Sequence, residues 1–245
     1  MKIVKNMQHQ PLAAFVETVH FQFEKTGTVI YKQRNEIRVL DVNGYAINVK
    51  RFKVPHLLNR IVYTFFRSSK AQRSYQYAFR LKDMGIETPE PVAYILTKRH
   101  GLLHYSYYIS RQADYDRNLY EFGKGGIAGR EYLLDAFAAF TAELHEKGVY
   151  HKDYSPGNIL FKDENGEVGF CLVDLNRMRF GKVSVLRGCA NFARLWGQKS
   201  FFEYVIRKYA QIRHADPEQC LKIALKERRK YWKRYARKRQ LPFEL

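Results

Sequence analysis

The sequence predicts an α+β chain built as two lobes. A small antiparallel β-sheet lobe occupies residues 1–110, and a mainly helical lobe that ends in a basic helix occupies 111–245. Three observations predict this. Residues 28–53 hold three runs rich in β-branched and aromatic side chains, separated by polar turns. Residues 130–147 instead carry apolar side chains at helical spacing. Between that helix and the C-terminus lies His151-Lys152-Asp153-Tyr154-Ser155-Pro156-Gly157-Asn158, followed by an Asn-Gly hairpin signal and then Asp174.

Composition sets the bounds. A chain of 245 residues is long enough for a real core. It has no run of 18 apolar residues, so no membrane-spanning helix is expected. The polar start, Met1 to Gln10, lacks the apolar stretch of a signal peptide, which predicts a cytoplasmic protein. Cys171, Cys189 and Cys220 have no metal-ligand spacing and read as buried, reduced thiols. Lys and Arg outnumber Asp and Glu by 43 to 24, a net charge of +19. Such a field draws anionic partners: nucleic acid, acidic lipid or a phosphorylated glycan.

Taken in order, the strands are Thr28-Val29-Ile30-Tyr31, Ile37-Arg38-Val39-Leu40 and Tyr45-Ala46-Ile47-Asn48-Val49-Lys50, with turns at 33–36 and 41–44. Residues 70–83 have helical spacing, with Tyr75, Ala78 and Phe79 on one side, and stop before Gly85 and the Pro89/Pro91 turn. Tyr105 to Ser110 reads as a further strand. In the helix at 130–147, Leu133, Phe137, Phe140 and Leu144 form the apolar face, and Lys147-Gly148 supplies a basic last turn and a C′ glycine. Ile159-Leu160-Phe161 and Phe170-Cys171-Leu172-Val173 read as two short buried strands closed by the turn at Asn165-Gly166. Folding that hairpin brings Asn158 beside Asp174.

The constellation H-x-D-x-x-x-x-N, hairpin, Asp has the order and spacing of a kinase catalytic loop with its metal-binding aspartate, so the fold class is bilobal and protein-kinase-like. Phosphoryl transfer needs a carboxylate to orient the attacking hydroxyl and take its proton, which points to Asp153. It also needs ligands for Mg2+ on ATP, which points to the Asn158 amide and the Asp174 carboxylate. Upstream residues gain roles from this placement. Lys50, in Ile47-Asn48-Val49-Lys50, is the candidate cation for the nucleotide phosphates, with Lys53 as its competitor. The glycine-rich loop G-x-G-x-x-G is absent, so turn amides near Asn35, with Arg34, are the candidate phosphate lid. No glutamate lies between Phe66 and Lys82 to pair with the lysine, and Gln76 stands near the expected place. Ser110-Arg111-Gln112-Ala113 falls where a hinge would bind adenine, making Ser110 and Gln112 nucleotide candidates.

After Asn176 no Ala-Pro-Glu follows, which argues against a regulated protein kinase. A last helix starts with Asp216 as N-cap and Pro217 at N1. Between Lys226 and Arg239, nine of fourteen residues are basic. Leu221, Ala224, Leu225, Trp232 and Tyr235 make an apolar stripe, so one face either docks on the lobe or lies in a membrane surface.

These residues resemble the lipopolysaccharide core kinases, the Kdo/heptose kinase family. The resemblance is carried by Val49-Lys50-Arg51-Phe52-Lys53, Gly85-Ile86-Glu87-Thr88-Pro89-Glu90-Pro91, the loop from His151 to Asn158, and Asp174-Leu175-Asn176-Arg177. It implies that Asp153 is the catalytic base, that Asn158 and Asp174 bind Mg2+, and that Lys50 holds the phosphates of ATP. It implies a lipid A glycolipid acceptor, phosphorylated on a Kdo or heptose hydroxyl by an enzyme peripheral to the inner membrane. His151 would order the loop, and Arg177 would bind a substrate carboxylate or phosphate. Two rival readings remain at this point. One is an atypical RIO-like or tRNA-modification-associated protein kinase. The other is a degenerate kinase-fold module that grips RNA or membrane.

Overall fold

In the computed structural model, which describes residues 1–123, 126–237, 240, 241 and 243, the chain forms two units, Met1–Asp114 and Tyr115–Leu245. The first unit is built on six antiparallel strands in the order β1-β5-β6-β4-β3-β2. The predicted runs become β2 (Thr28–Lys32), β3 (Glu36–Val42), β4 (Tyr45–Phe52) and β6 (Leu102–Arg111). The β3–β4 turn puts Asn43 at φ 54° and Gly44 at φ 76°, the left-handed pair that a tight hairpin needs. Two strands went unassigned from sequence: β1 (Lys2–Lys5) at the edge, and β5 (Pro91–Arg99) beside it. β5 is a continuous apolar run without alternation, because both faces of the sheet are covered.

One face carries helix α1 (Ala13–Gln22), whose Val16 and Val19 join Ile47, Val49, Ile95 and Ile109 in the core. The other carries α3 (Lys70–Asp83), capped by Ser69, whose Oγ accepts the Gln72 N–H at 3.1 Å. Ala71 and Tyr75 of α3 pack with Phe52, Tyr94 and Tyr108. The short helix α2 (Leu57–Phe65) precedes α3.

In the second unit, α4 (Glu131–Glu146) ends as expected: Gly148 adopts φ 73° and is crowded by the backbone of Gly181. Next come β8 (Val149–His151), then the hairpin β9 (Ile159–Glu164) and β10 (Glu167–Leu172), with Asn165 and Gly166 at positive φ in its turn. A two-residue strand, β7 (Arg117–Asn118), pairs with β9, and β11 (Met178–Phe180) pairs with β8. Helices α5 (Val185–Asn191), α6 (Lys199–Ile212) and α7 (Pro217–Ala236) complete the unit.

Of the two roles open to the α7 stripe, docking is the one adopted. Leu221, Ala224 and Trp232 are buried, and Trp232 packs edge-on to Trp196 at 5.5 Å. The apolar stripe is therefore not offered to a membrane. Lys222, Lys226, Arg229, Lys230, Lys233 and Arg237 line the opposite, exposed face. The expected basic residues Lys238 and Arg239 lie outside the described residues.

Candidate catalytic site

The loop after β8 is built around a buried histidine. His151 accepts the Asp153 N–H on Nδ1 at 3.1 Å, so its Nε2–H donates to the Val173 carbonyl, also at 3.1 Å. Burial pushes its pKa down, which keeps the ring neutral and in this tautomer. Asn158 Nδ2 donates to the Asp153 carbonyl at 2.8 Å, and the Val173 N–H donates to the Asn158 carbonyl at 3.1 Å. With Leu172 paired to Ile159 across the hairpin, Asn158 and Asp174 meet at the open end of β9 and β10. Asp174 itself is left-handed, at φ 57° and ψ 50°, and its Oδ1 accepts the Asn176 amide at 2.6 Å. Outside a hairpin turn such a conformation costs about 1 kcal/mol and tends to be kept where it aims a functional group.

Both carboxylate oxygens of Asp153 face guanidinium groups. Arg177 Nη1 reaches Oδ2 at 3.2 Å, and Arg194 Nη1 pairs with Oδ1. Arg177 is fixed by the β8–β11 ribbon, in which the Lys152 N–H donates to its carbonyl at 3.0 Å. Arg194 closes the 3-10 turn at 192–194 and stacks over the Tyr231 ring of α7 at 4.9 Å. Nothing in the local sequence singled out Arg194, which is brought to Asp153 from 41 positions downstream.

A second network holds the loop from below. Asn191 Nδ2 donates to the His151 carbonyl at 3.0 Å, and its Oδ1 accepts from His145 Nε2 at 3.0 Å. The other nitrogen of His145 meets the Tyr209 hydroxyl at 2.8 Å. Gly188 is required where α5 passes this network, because a Cβ there would lie 2.8 Å from His145 Nδ1. Burial lowers the His145 pKa to about 4.

The first unit holds the remaining candidates. Lys50 lies within β4, is buried, and has Nζ 5.3 Å from the Phe52 ring centroid on the face that α3 covers. Lys53 is exposed beyond the strand. Gln76 is exposed too, on the side of α3 away from Ala71, Tyr75 and Ala78. Arg34 is exposed in the β2–β3 turn. Asn35 spends its Oδ1 on the Lys53 N–H at 3.3 Å, bracing the turn. The two hinge candidates lie at the end of β6 and just past it. Ser110 is buried inside β6, laddered to Asn48 and Pro91, because the strand runs on to Arg111. The Gln112 N–H is taken by the Ala46 carbonyl at 2.8 Å, and its side chain by Asn48, also at 2.8 Å.

A family model described as the lipopolysaccharide kinase (Kdo/WaaP) family matches residues 29–203. Among solved structures, the chain is similar to WaaP in complex with acyl carrier protein, with a TM-score of 0.64 at 17% identity, covering 96% of this chain and 100% of that one. A MAP kinase from Leishmania major, LmaMPK10, aligns with a TM-score of 0.49 at 15% identity, covering 96% of this chain and 76% of that one. No curated protein sequence matches the chain. The likeness to WaaP shows the protein-kinase-like fold that the loop motif led us to expect.

Proposed function

Because the chain belongs to the lipopolysaccharide kinase (Kdo/WaaP) family, and so is a phosphotransferase of lipopolysaccharide biosynthesis for which ATP use is implied, we propose that it phosphorylates a Kdo or heptose hydroxyl of the lipid A inner core. The reaction would take place at the cytoplasmic face of the inner membrane. The observation that carries the acceptor class is the pair of guanidinium groups on Asp153. Both oxygens that would meet an acceptor hydroxyl are therefore occupied by these cations. An anionic acceptor relieves this, since its carboxylate or phosphate takes Arg177 and Arg194 bidentately as its hydroxyl meets Asp153.

Asp153 then accepts the hydroxyl proton as the sugar oxygen bonds to the γ-phosphorus and the bond to the β-phosphate oxygen breaks, leaving ADP. Asn158 and Asp174 suit Mg2+ on the nucleotide. The amide nitrogen is committed to the Asp153 carbonyl, so Oδ1 is the atom for a cation, and one amide plus one carboxylate is the small protein share that magnesium takes beside phosphate and water. The metal, when bound, neutralises phosphate charge. Lys50 supplies a further cation for the phosphates.

The test offers the purified chain γ-labelled ATP with Kdo-lipid A, its heptosylated form, and a general protein acceptor. Label is expected on a glycolipid, and the arm that labels identifies the sugar. Label on the protein acceptor alone would sink the proposal.

A further inference from the structure

Helix α2 is mounted back to front. Its polar side chains hold it to the first unit's sheet. Arg60 Nε donates to the Leu103 carbonyl at 2.8 Å and Nη2 to the Arg99 carbonyl at 2.9 Å, while Thr64 Oγ1 accepts the Leu103 N–H at 2.9 Å. Leu57, Leu58, Ile61, Val62 and Phe65 fall on the other side, within an arc of about 140° at the helical 100° per residue. No residue of α2 is buried. Leu58 is 78% exposed, Phe65 68% and the following Phe66 81%. A surface helix ordinarily turns its apolar face to the core. A contiguous apolar patch left in water marks a contact surface.

The surroundings choose the occupant. Between Asp41 and Asp83 the sequence holds no acidic residue and nine Lys or Arg. Of these, Lys53 precedes α2 in the chain and Arg67 follows it, and both are exposed. An exposed apolar arc with a cation before and after it, in a stretch free of carboxylates, is the pattern of a helix lying in an anionic membrane interface. We propose that α2 and Phe66 form a bilayer-docking element that sinks its apolar arc to the acyl boundary while Lys53 and Arg67 meet lipid phosphates. This deepens the proposed function, resting on its reading of the acceptor as membrane-held, and it places bilayer contact on α2, since the α7 stripe is buried.

Sedimentation of the full chain with phosphatidylglycerol-containing vesicles, without acceptor, measures the docking. Leu58→Asn and Phe65→Asn should each lower vesicle partition about tenfold, the worth of one buried apolar side chain. The thermal midpoint and transfer to a soluble sugar analogue should be unchanged. Independently, Leu58→Trp should shift its emission to the blue when anionic vesicles are added. Wild-type partition in both Asn variants, or an unmoved Trp emission, overturns the proposal. So does a wild-type dimer that these substitutions dissociate, which would make a second copy the occupant. If α2 docks but no glycolipid is phosphorylated, the acceptor assignment fails and the docking surface stands.

Discussion

In the proposed reaction the chemistry turns on Asp153, and its two arginine partners would separate binding from transfer. Asp153→Asn should lower kcat by about 10²–10⁴, the usual worth of a general base, with nucleotide affinity nearly unchanged. Arg194→Ala should instead raise KM for the anionic glycolipid more than for a neutral sugar analogue, and steady-state kinetics on both acceptors would read the difference. Lys50→Met should weaken ATP use, whereas Lys53→Met should leave it alone. The reverse pattern would move the phosphate contact to the exposed lysine. His145 makes a pH prediction. Its folded pKa, about 4, lies below the usual 6.5, so the unfolded chain binds the extra proton first. The stability it contributes is therefore complete above pH 6.5 and is lost as pH falls towards 4, by about 3 kcal/mol. Thermal melts from pH 7 to 4.5 should fall more steeply for the wild type than for His145→Gln. Equal slopes would remove His145 from the account.

At the scale of elements, the legible parts of the sequence were those in which local and tertiary demands agree. The Asn165-Gly166 turn, the cap at Asp216-Pro217 and the stripe of α4 each state their structure within a few residues. β5 was not legible, because burial on both faces erases the alternation that marks a strand. Nor was the meeting of Arg194 with Asp153, since it depends on where α7 docks. That docking rests on Arg228, which is buried with Nη1 on the Leu195 carbonyl at 3.2 Å and Nη2 on the Gly197 carbonyl at 2.6 Å. Burial holds its pKa down to about 10. Arg228→Met should destabilise by about 2–4 kcal/mol, through two carbonyls left unsatisfied. Because those carbonyls follow directly on Arg194, it should also raise KM for the acceptor. A thermal melt with paired kinetics checks both effects.

On the scale of the whole molecule, a net charge of +19 fits the proposal of an enzyme that works at an anionic surface. Docking should weaken as salt rises, by about 1 kcal/mol for each surface cation screened. Transfer to a soluble sugar analogue should be far less salt-sensitive. Charge indicated an anionic partner but not its class, and the loop motif indicated phosphoryl transfer but not its acceptor. The proposed glycolipid acceptor joins the two through the family and the arginine pair. The most direct test is mass spectrometry of the lipid A–core glycolipid from cells lacking the gene, complemented with the wild type or with Asp153→Asn. The account predicts a phosphate on the inner-core sugar that the wild type restores and the variant does not. An identical phosphate pattern in all three strains would contradict it.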